Sequence, residues 1–173
     1  MKYQKKQMGV GLVEVLVALV LLALGVLGYT ALQLRAVDAS NEALKRSQAT
    51  LILRGLTESI RANSDGQKEY PAAVQSYVGL SEKKEPKPSC LNSACTSTEM
   101  AKYDAYMAAN TAQNIGMSLT MAECPGVKIV KRQCLFAAWD DTATQLKATD
   151  FSNCMDSKGI YVSSAKCLMM EAY

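Results

Sequence analysis

MGVGLVEVLVALVLLALGVLGYTALQLRA, residues 8–36, is the segment around which the rest of the chain is organised. Within it, residues 10–32 are almost entirely apolar, and Glu14 is their single charged residue. As an α-helix this run would extend roughly 34 Å at about 1.5 Å per residue, slightly more than the roughly 30 Å hydrocarbon core of a bilayer. The run therefore predicts a helix that spans a membrane and carries one acid, which at that depth needs a partner.

The residues before the run predict its orientation. Lys2, Lys5 and Lys6 precede it, and basic flanks are retained on the cytoplasmic side of a membrane. A secretory signal peptide has an apolar region of only about 7–15 residues that ends at a small-x-small cleavage site, whereas this run is longer and no A-x-A follows it before Arg35. We expect a single pass through the membrane with the rest of the chain exported. An ordinary uncleaved anchor is the alternative, but it leaves Glu14 unexplained.

The start of the run resembles the class III leader of type IV pilins and pseudopilins. In that family a basic leader ends in Gly and the fifth residue after the cut is Glu, as Gly9 and Glu14 do here. The continuation VLVALVLLALGVLG, residues 15–28, is similar to the PilV-type minor pilins, also called type IV pilus modification proteins. The resemblance implies that a prepilin peptidase cleaves between Gly9 and Val10 and methylates the new amine of Val10. Val10 and Gly11 differ from the commonest residues at these positions, but the Gly and Glu that define processing are retained.

The resemblance also gives Glu14 a partner. A carboxylate in a bilayer or in a filament core is disfavoured by desolvation, and a nearby cationic amine compensates strongly in a low dielectric. The implied partner is the N-terminal amine of a neighbouring subunit. Such a charge pair would favour one axial register of the packed helices. A Glu14 that is protonated, or that reaches the membrane surface, is the alternative.

The net charge of the chain comes from its leader. The 173 residues contain 19 Lys plus Arg against 16 Asp plus Glu, a formal charge of +3, and three of those lysines lie in residues 1–9. The remaining charges balance, so no nucleic-acid surface is predicted, because such a surface needs a clustered basic patch. Residues 64–173 are enough for one modest globular domain.

Helical character continues past the apolar run. Residues 33–63 contain no Pro, and their apolar residues recur at intervals of seven and then four. These residues are Val37, Leu44, Leu51, Ile52, Leu56 and Ile60. The pattern predicts an amphipathic continuation of the helix that packs one face on the head. Turn residues follow it, and residues 67–89, which include EKKEPKP, are predicted to be an irregular exposed connection.

Six cysteines follow, all on the predicted exported side: Cys90, Cys95, Cys124, Cys134, Cys154 and Cys167. An even number in an oxidising compartment predicts three disulfides. A metal site is not predicted, because the chain has no His and the cysteine intervals lack the paired short knuckles of zinc sites. Of about fifteen possible pairings, we prefer the nearest neighbours: Cys90 with Cys95, Cys124 with Cys134, and Cys154 with Cys167. Each bond would close a short loop and contribute roughly 2–3 kcal/mol in the chain-entropy model.

The segment between the first two cysteine pairs predicts a helix. Thr96 and Glu99 have the spacing of a capping box, which opens a helix over residues 97–113 with Met100, Tyr103 and Met107 on its buried stripe. The segment CTSTEMAKYD, residues 95–104, is similar to the cysteine-rich entry and helix of PilV-type proteins.

The remaining residues predict strands. Alternation over residues 117–121 indicates a half-buried strand, and residues 133–139 indicate a second strand that ends in a core Trp139. Further strands are expected near residues 159–163 and 166–170. The adjacent Asp140 and Asp141 indicate a solvated turn.

The predicted fold class is α+β: a long N-terminal helix packed on a small antiparallel sheet with disulfides, as in the type IV pilin fold. The predicted organisation is a leader at residues 1–9, a transmembrane or filament-core helix at 10–32, its amphipathic continuation at 33–63, and a periplasmic disulfide-rich head at 64–173.

The sequence gives no support for an enzyme or a cofactor. Without His there is no Ser-His-Asp or Cys-His site, and no Gly-rich phosphate loop is present.

The resemblance implies a minor type IV pilin in the bacterial inner membrane and then in the pilus near its tip. The implied roles are in initiation of assembly, with adhesion or twitching motility. The implied partners are prepilin peptidase, other minor pilins and the major pilin. The alternatives are a type II secretion minor pseudopilin, a competence pilus subunit, or a binding module displayed at the tip as an adhesin.

Overall fold

A computed structural model of the chain describes residues 11–127 and 130–173. The helices are α1 (Leu12–Ala62), a 3-10 helix (Ser64–Glu69), α2 (Tyr70–Ser76), α3 (Ser97–Asn114) and α4 (Asp140–Gln145). The strands are β1 (Met117–Glu123), β2 (Gln133–Trp139) and β3 (Cys167–Glu171). The chain divides into two compact units between Ala43 and Leu44. A long apolar N-terminal helix and a small three-stranded antiparallel sheet with three disulfides confirm the predicted fold class.

The first unit contains the apolar part of α1, which the chain leaves uncovered. Its side chains from Leu12 to Leu34 are exposed, typically by more than half of their surface. Among the described residues, α1 is the one helix that is long and apolar enough to cross a membrane, judged by length and composition. None of its most apolar window is buried, so these side chains depend on lipid or on another chain for cover.

In the second unit, α1 buries one face against the head. Its buried residues are Ala49, Leu53, Leu56, Thr57 and Ile60, which recur at helical spacing. The predicted packing face was therefore correct at Leu56 and Ile60 but wrong at Leu44 and Leu51, which are 56% and 67% exposed. The two leucines lie seven residues apart, so α1 carries a second apolar face that the head does not cover.

The connection predicted to be irregular is partly helical, so that prediction was wrong. The 3-10 helix and α2 occupy its first half, and Tyr70, Ala73 and Val74 are buried. The segment was missed because α2 has only seven residues, too few for a recognisable period, with Pro71 in its first turn. Lys83, predicted to lie in a solvated loop, is 8% exposed and donates to the Gly79 carbonyl at 2.8 Å.

Helix α3 begins as predicted. The Thr96 hydroxyl accepts from the Glu99 backbone N–H at 3.3 Å, and the Thr96 N–H donates to the Glu99 carboxylate at 2.8 Å, which completes the capping box. The predicted buried stripe was wrong, because the buried positions are all alanines: Ala101, Ala105, Ala109 and Ala112. Small side chains let α3 approach the core closely, and Met107 is left 45% exposed.

The sheet has the order β1-β2-β3, antiparallel throughout, with Met117 opposite Trp139 and Ala137 opposite Leu168. Both of its faces are covered, so the prediction of a half-buried β1 was wrong. One face packs with α1, α2 and α3 and includes Trp139, which is fully buried as predicted. The other face packs under residues 146–171, hereafter the C-terminal segment. There the rings of Phe136 and Phe151 stack with their centroids 4.3 Å apart.

The C-terminal segment forms one of the two predicted strands. β3 confirms the strand expected near residues 166–170, whereas residues 159–163 form no strand. The Asp156 carboxylate accepts from the N–H groups of Lys158 and Ile160 at 2.9 Å, which folds the segment into a turn instead. Asp140, expected in a solvated turn, opens α4 with a φ of 52°.

Candidate functional site

Glu14 lies in the first turn of α1, on the exposed part of the helix. Its N–H donates to the Gly11 carbonyl at 2.9 Å. A carboxylate in a first helical turn interacts favourably with the positive end of the helix dipole. Within residues 11–127 and 130–173 no ion pair joins Glu14 to another side chain. The predicted cleavage residues, Gly9 and Val10, lie outside the described residues.

The surface that follows Glu14 is almost entirely apolar. A shallow hollow of about 260 Å³ lies between Leu16, Val17, Val20 and Leu21, all of them about half exposed or more. Residues 15–34 carry no charged side chain. A surface of this kind excludes water only when lipid or another apolar helix covers it.

The structure joins the six cysteines in three neighbouring pairs. Cys90 bonds Cys95 just before α3, Cys124 bonds Cys134 across the β1 and β2 hairpin, and Cys154 bonds Cys167 at the start of β3. Their Cα atoms are 5.6, 4.9 and 5.8 Å apart, within the usual range for a disulfide. The last two bonds lie in the core under the C-terminal segment, so they hold that segment on the sheet.

A groove runs between α1 and α3, and sequence reasoning missed it. It consists of two adjoining hollows of about 270 and 390 Å³, and both are lined by Ser59 and Asp104. Hereafter this is the α1/α3 groove. Its remaining lining residues are Leu51, Ile52, Gly55, Leu56, Ala62, Asn63, Cys95, Ser97, Met100, Met107, Ala108 and Thr111. The sequence signal for it was the alanine-rich spacing of α3, since small residues bring two helices close and leave a channel beside the contact.

Asp104 is the acid of this groove, and it is held by buried Tyr70. The Tyr70 hydroxyl donates to Asp104 Oδ2 at 2.6 Å, while Asn63 Nδ2 donates to the same hydroxyl at 3.3 Å and to the Ser97 carbonyl at 2.8 Å. Burial raises the pKa of Asp104, and the hydrogen bond from Tyr70 opposes that rise. Burial, and then the Asp104 carboxylate, raise the pKa of Tyr70 well above its usual range. The hydroxyl therefore stays protonated and remains a donor at neutral pH.

The apolar part of α1 and the α1/α3 groove are suited to binding other molecules. The described residues contain no group of three or more His, Cys, Asp or Glu side chains placed to hold a metal ion. Nothing in them shows catalytic activity. An exposed apolar helix with one acid and a head with a second apolar face are suited to packing against other molecules.

Comparison with known protein families gives a match to a pilin family. The sequence model of the family described as "Tt1218-like: Type IV pilin Tt1218" matches residues 31–106, which is less than half of the chain. No curated protein and no solved structure matches the chain. The matched residues run from the middle of α1 to the middle of α3. They exclude residues 9–28, which carried the resemblance at the start of the chain, and include residues 95–104, which carried the second one. The match supports a type IV pilin subunit in general, a family whose members associate with other pilus subunits, and it does not single out the PilV type.

Proposed function

We propose that this chain is a minor type IV pilin of the PilV type. In this proposal it inserts in the inner membrane with its head in the periplasm, and prepilin peptidase cleaves it between Gly9 and Val10 and methylates Val10. It then joins the complex that initiates the pilus and lies near the tip, where it contributes to adhesion or twitching motility. The observation that carries the proposal is the apolar part of α1, which is uncovered over its whole length.

That helix fits a protein that occupies two environments in turn. In the membrane, lipid covers the uncharged residues 15–34. After extraction into a filament, the helices of other subunits cover the same residues. A permanent anchor has no need of Glu14, whereas a pilin uses an acid there to pair with the amine of a neighbouring subunit.

The head fits export to the periplasm and beyond. Three disulfides in a small domain are typical of an oxidising compartment. They supplement the sheet, which has three strands within the described part of the chain, and they would keep the head folded outside the cell.

Replacement of Glu14 tests the proposal. The host strain would lack the native gene and produce wild type, Glu14→Gln or Glu58→Gln, and the chain would be quantified in the membrane and in sheared filaments. Glu14→Gln removes the charge and keeps the shape, so we expect normal cleavage and a loss of about tenfold or more in filament incorporation. Glu58→Gln is the matched control, because Glu58 is an exposed acid on the same helix that pairs with Arg61 at 3.1 Å.

Deletion of the gene distinguishes the roles. An initiation subunit lowers the number of surface pili when it is deleted, whereas a pure adhesin leaves the pili present and abolishes attachment. A type II secretion pseudopilin lowers protein secretion instead. Normal incorporation of Glu14→Gln would refute the charge pair, and absence of the wild-type chain from all filaments would refute the pilin itself.

A further inference from the structure

We infer that Met107 is an oxidation site on the head, where a peroxide converts the thioether to a sulfoxide without unfolding the chain. The reduced and the oxidised chain are then two folded forms that differ in the polarity of the α1/α3 groove. The inference is independent of the proposed function. It is carried by the state of the cysteines, the exposure of Met107 and the place of that side chain outside the core.

No thiol competes with the methionines for an oxidant. The chain has six cysteines, and all of them are joined in the three disulfides. A thiolate would otherwise be the sulfur group that reacts first with a peroxide. Trp139, the single tryptophan, is fully buried. Thioether sulfur is therefore the most readily oxidised group that the folded chain offers to a solute.

Met107 exposes more of its surface than any other methionine in the described part of the chain. It is 45% exposed. Met117, Met121 and Met155 are buried, so the core must open locally before a peroxide can reach their sulfur atoms. The remaining described methionines are half-buried: Met100, Met169 and Met170. Because a peroxide must touch the sulfur in order to oxidise it, Met107 reacts first.

The reaction needs no catalyst and no second substrate besides the peroxide. The sulfur of Met107 attacks one oxygen of hydrogen peroxide, and the O–O bond breaks. The hydroxide that leaves takes the proton of the transferred hydroxyl group and becomes water. The sulfur loses two electrons and the peroxide gains them, so one sulfoxide and one water are formed. Methionine sulfoxide reductases reverse the change.

The sulfoxide makes the apolar half of the groove polar. Met107 lines the hollow of about 270 Å³ together with apolar side chains such as Leu51. The polar residues that α3 contributes to this hollow offer no free donor, because the Asp104 carboxylate accepts from Tyr70 and the Thr111 hydroxyl donates to the Met107 carbonyl at 2.8 Å. The new oxygen accepts hydrogen bonds and cannot donate them, so it retains water, and apolar surface is no longer buried there without cost.

Oxidation leaves the fold in place because the Met107 side chain is not part of the core. Helix α3 packs on the head through alanines, and Met107 belongs to neither of the two buried clusters. Its sulfoxide oxygen stays in contact with water. At Met121, by contrast, the same oxygen would lie in a buried cluster, where it would have to be desolvated and would disrupt the packing.

Controlled oxidation of the full chain in detergent micelles tests the inference. The folded chain would be treated with hydrogen peroxide, the reaction stopped at intervals, and the sulfoxide at each methionine quantified by peptide mass spectrometry. We expect Met107 to be oxidised about tenfold or more faster than the three buried methionines. Met1 and Met8 lie outside the described residues and are scored separately. In denaturant all methionines should react at similar rates, which would show that the fold provides the selectivity.

Two variants with matched substitutions identify the site. Leu keeps the volume of Met and removes the sulfur. Met107→Leu should abolish the fast oxidation within residues 11–173, whereas Met100→Leu should retain it, because Met100 is a half-buried residue of the same groove. Oxidised wild type should melt within about 3 °C of the reduced chain. A methionine sulfoxide reductase should return the folded chain to its original mass, since the modified side chain is accessible.

Three outcomes would overturn the inference. Oxidation of a half-buried methionine ahead of Met107 would place the site elsewhere. Equal rates at all methionines of the folded chain would show that oxidation follows unfolding. A larger fall in melting temperature when Met107 alone is oxidised would show that its side chain holds the fold, so that the oxidised form is not a second folded state. Absence of the chain from pili would refute the proposed function and would leave this site unaffected.

Discussion

At the scale of single residues, the most informative group is the contact between Tyr70 and Asp104. The ring of Tyr70 is fully buried, so its hydroxyl is brought to the inner wall of the α1/α3 groove and donates to a carboxylate at 2.6 Å. Neither residue belongs to a recognisable motif, and they lie 34 positions apart. The contact forms because α2 packs under α3, which no local pattern in the sequence specifies.

Tyr70→Phe should lower the free energy of unfolding by about 1–3 kcal/mol, because it leaves the partly buried Asp104 carboxylate without its donor. Chemical denaturation of the full chain in micelles, with disulfides intact, would measure the change. Tyr103→Phe on α3 is the control and should stay within roughly 0.5 kcal/mol, since its hydroxyl forms no hydrogen bond with any described residue. Equal losses for the two variants would contradict the assigned contact.

The raised pKa of Asp104 predicts a dependence of stability on pH. Above the ordinary value of 3.8 the unfolded carboxyl is ionised while the folded one still holds its proton, so the native state binds more protons. Stability therefore falls as pH rises through that window and is level above the folded pKa. Asp104→Asn keeps an acceptor for Tyr70 and removes the titration. Its stability relative to wild type should rise between pH 3 and pH 7, and a difference that stays constant, as expected for Asp141→Asn, would contradict the assignment.

At the scale of elements, α1 has two apolar faces, and the head covers one of them and leaves the other exposed. The sequence pattern correctly predicted a long helix with an apolar span and an amphipathic continuation. It merged two sets of residues into one face, because intervals of seven and of four are both helical. Leu53 and Leu56 pack on the head, whereas Leu44 and Leu51 lie on the open face. Only the packed sheet and α3 decide which set is covered.

Leu53→Ala and Leu51→Ala test this division of the helix. Leu53 is fully buried, so its truncation leaves a cavity and should cost about 2–5 kcal/mol of unfolding free energy. Leu51, two residues earlier, is 67% exposed and should change stability by less than roughly 0.5 kcal/mol. The same denaturation measurement serves both variants. A large loss for Leu51→Ala would mean that the open face is covered within the chain.

At the scale of the whole molecule, the fold class, the long helix, the capped α3 and the strands β1 to β3 could be predicted from local patterns. Capping by Thr96 and Glu99 involves neighbouring residues, so the sequence contains all that it needs. What could not be predicted depends on contacts between distant residues. The short α2 and α4, the alanine stripe of α3 and the second covered face of the sheet all arise only when the elements pack.

The residues of the candidate site also fall into two groups. Some could be identified from the sequence alone, and others are brought together only by packing. Glu14 and the apolar span lie in one continuous stretch of sequence, so both could be proposed as functional from the sequence alone. The α1/α3 groove combines Gly55 with Asp104, 49 positions later, and neither residue is unusual in its own element. Packing of the two helices creates the groove, which explains why the sequence alone predicted the apolar helix and did not predict the groove on the head.

Intact-mass and N-terminal analysis of the chain purified from the membrane would show whether the chain is processed as a pilin. We expect a product that begins at N-methylated Val10 and that, because of its three disulfides, is lighter than its reduced form by the mass of about six hydrogen atoms. A product that begins at Met1, or one cut beyond Leu32, would contradict a processed pilin whose membrane helix later enters a filament.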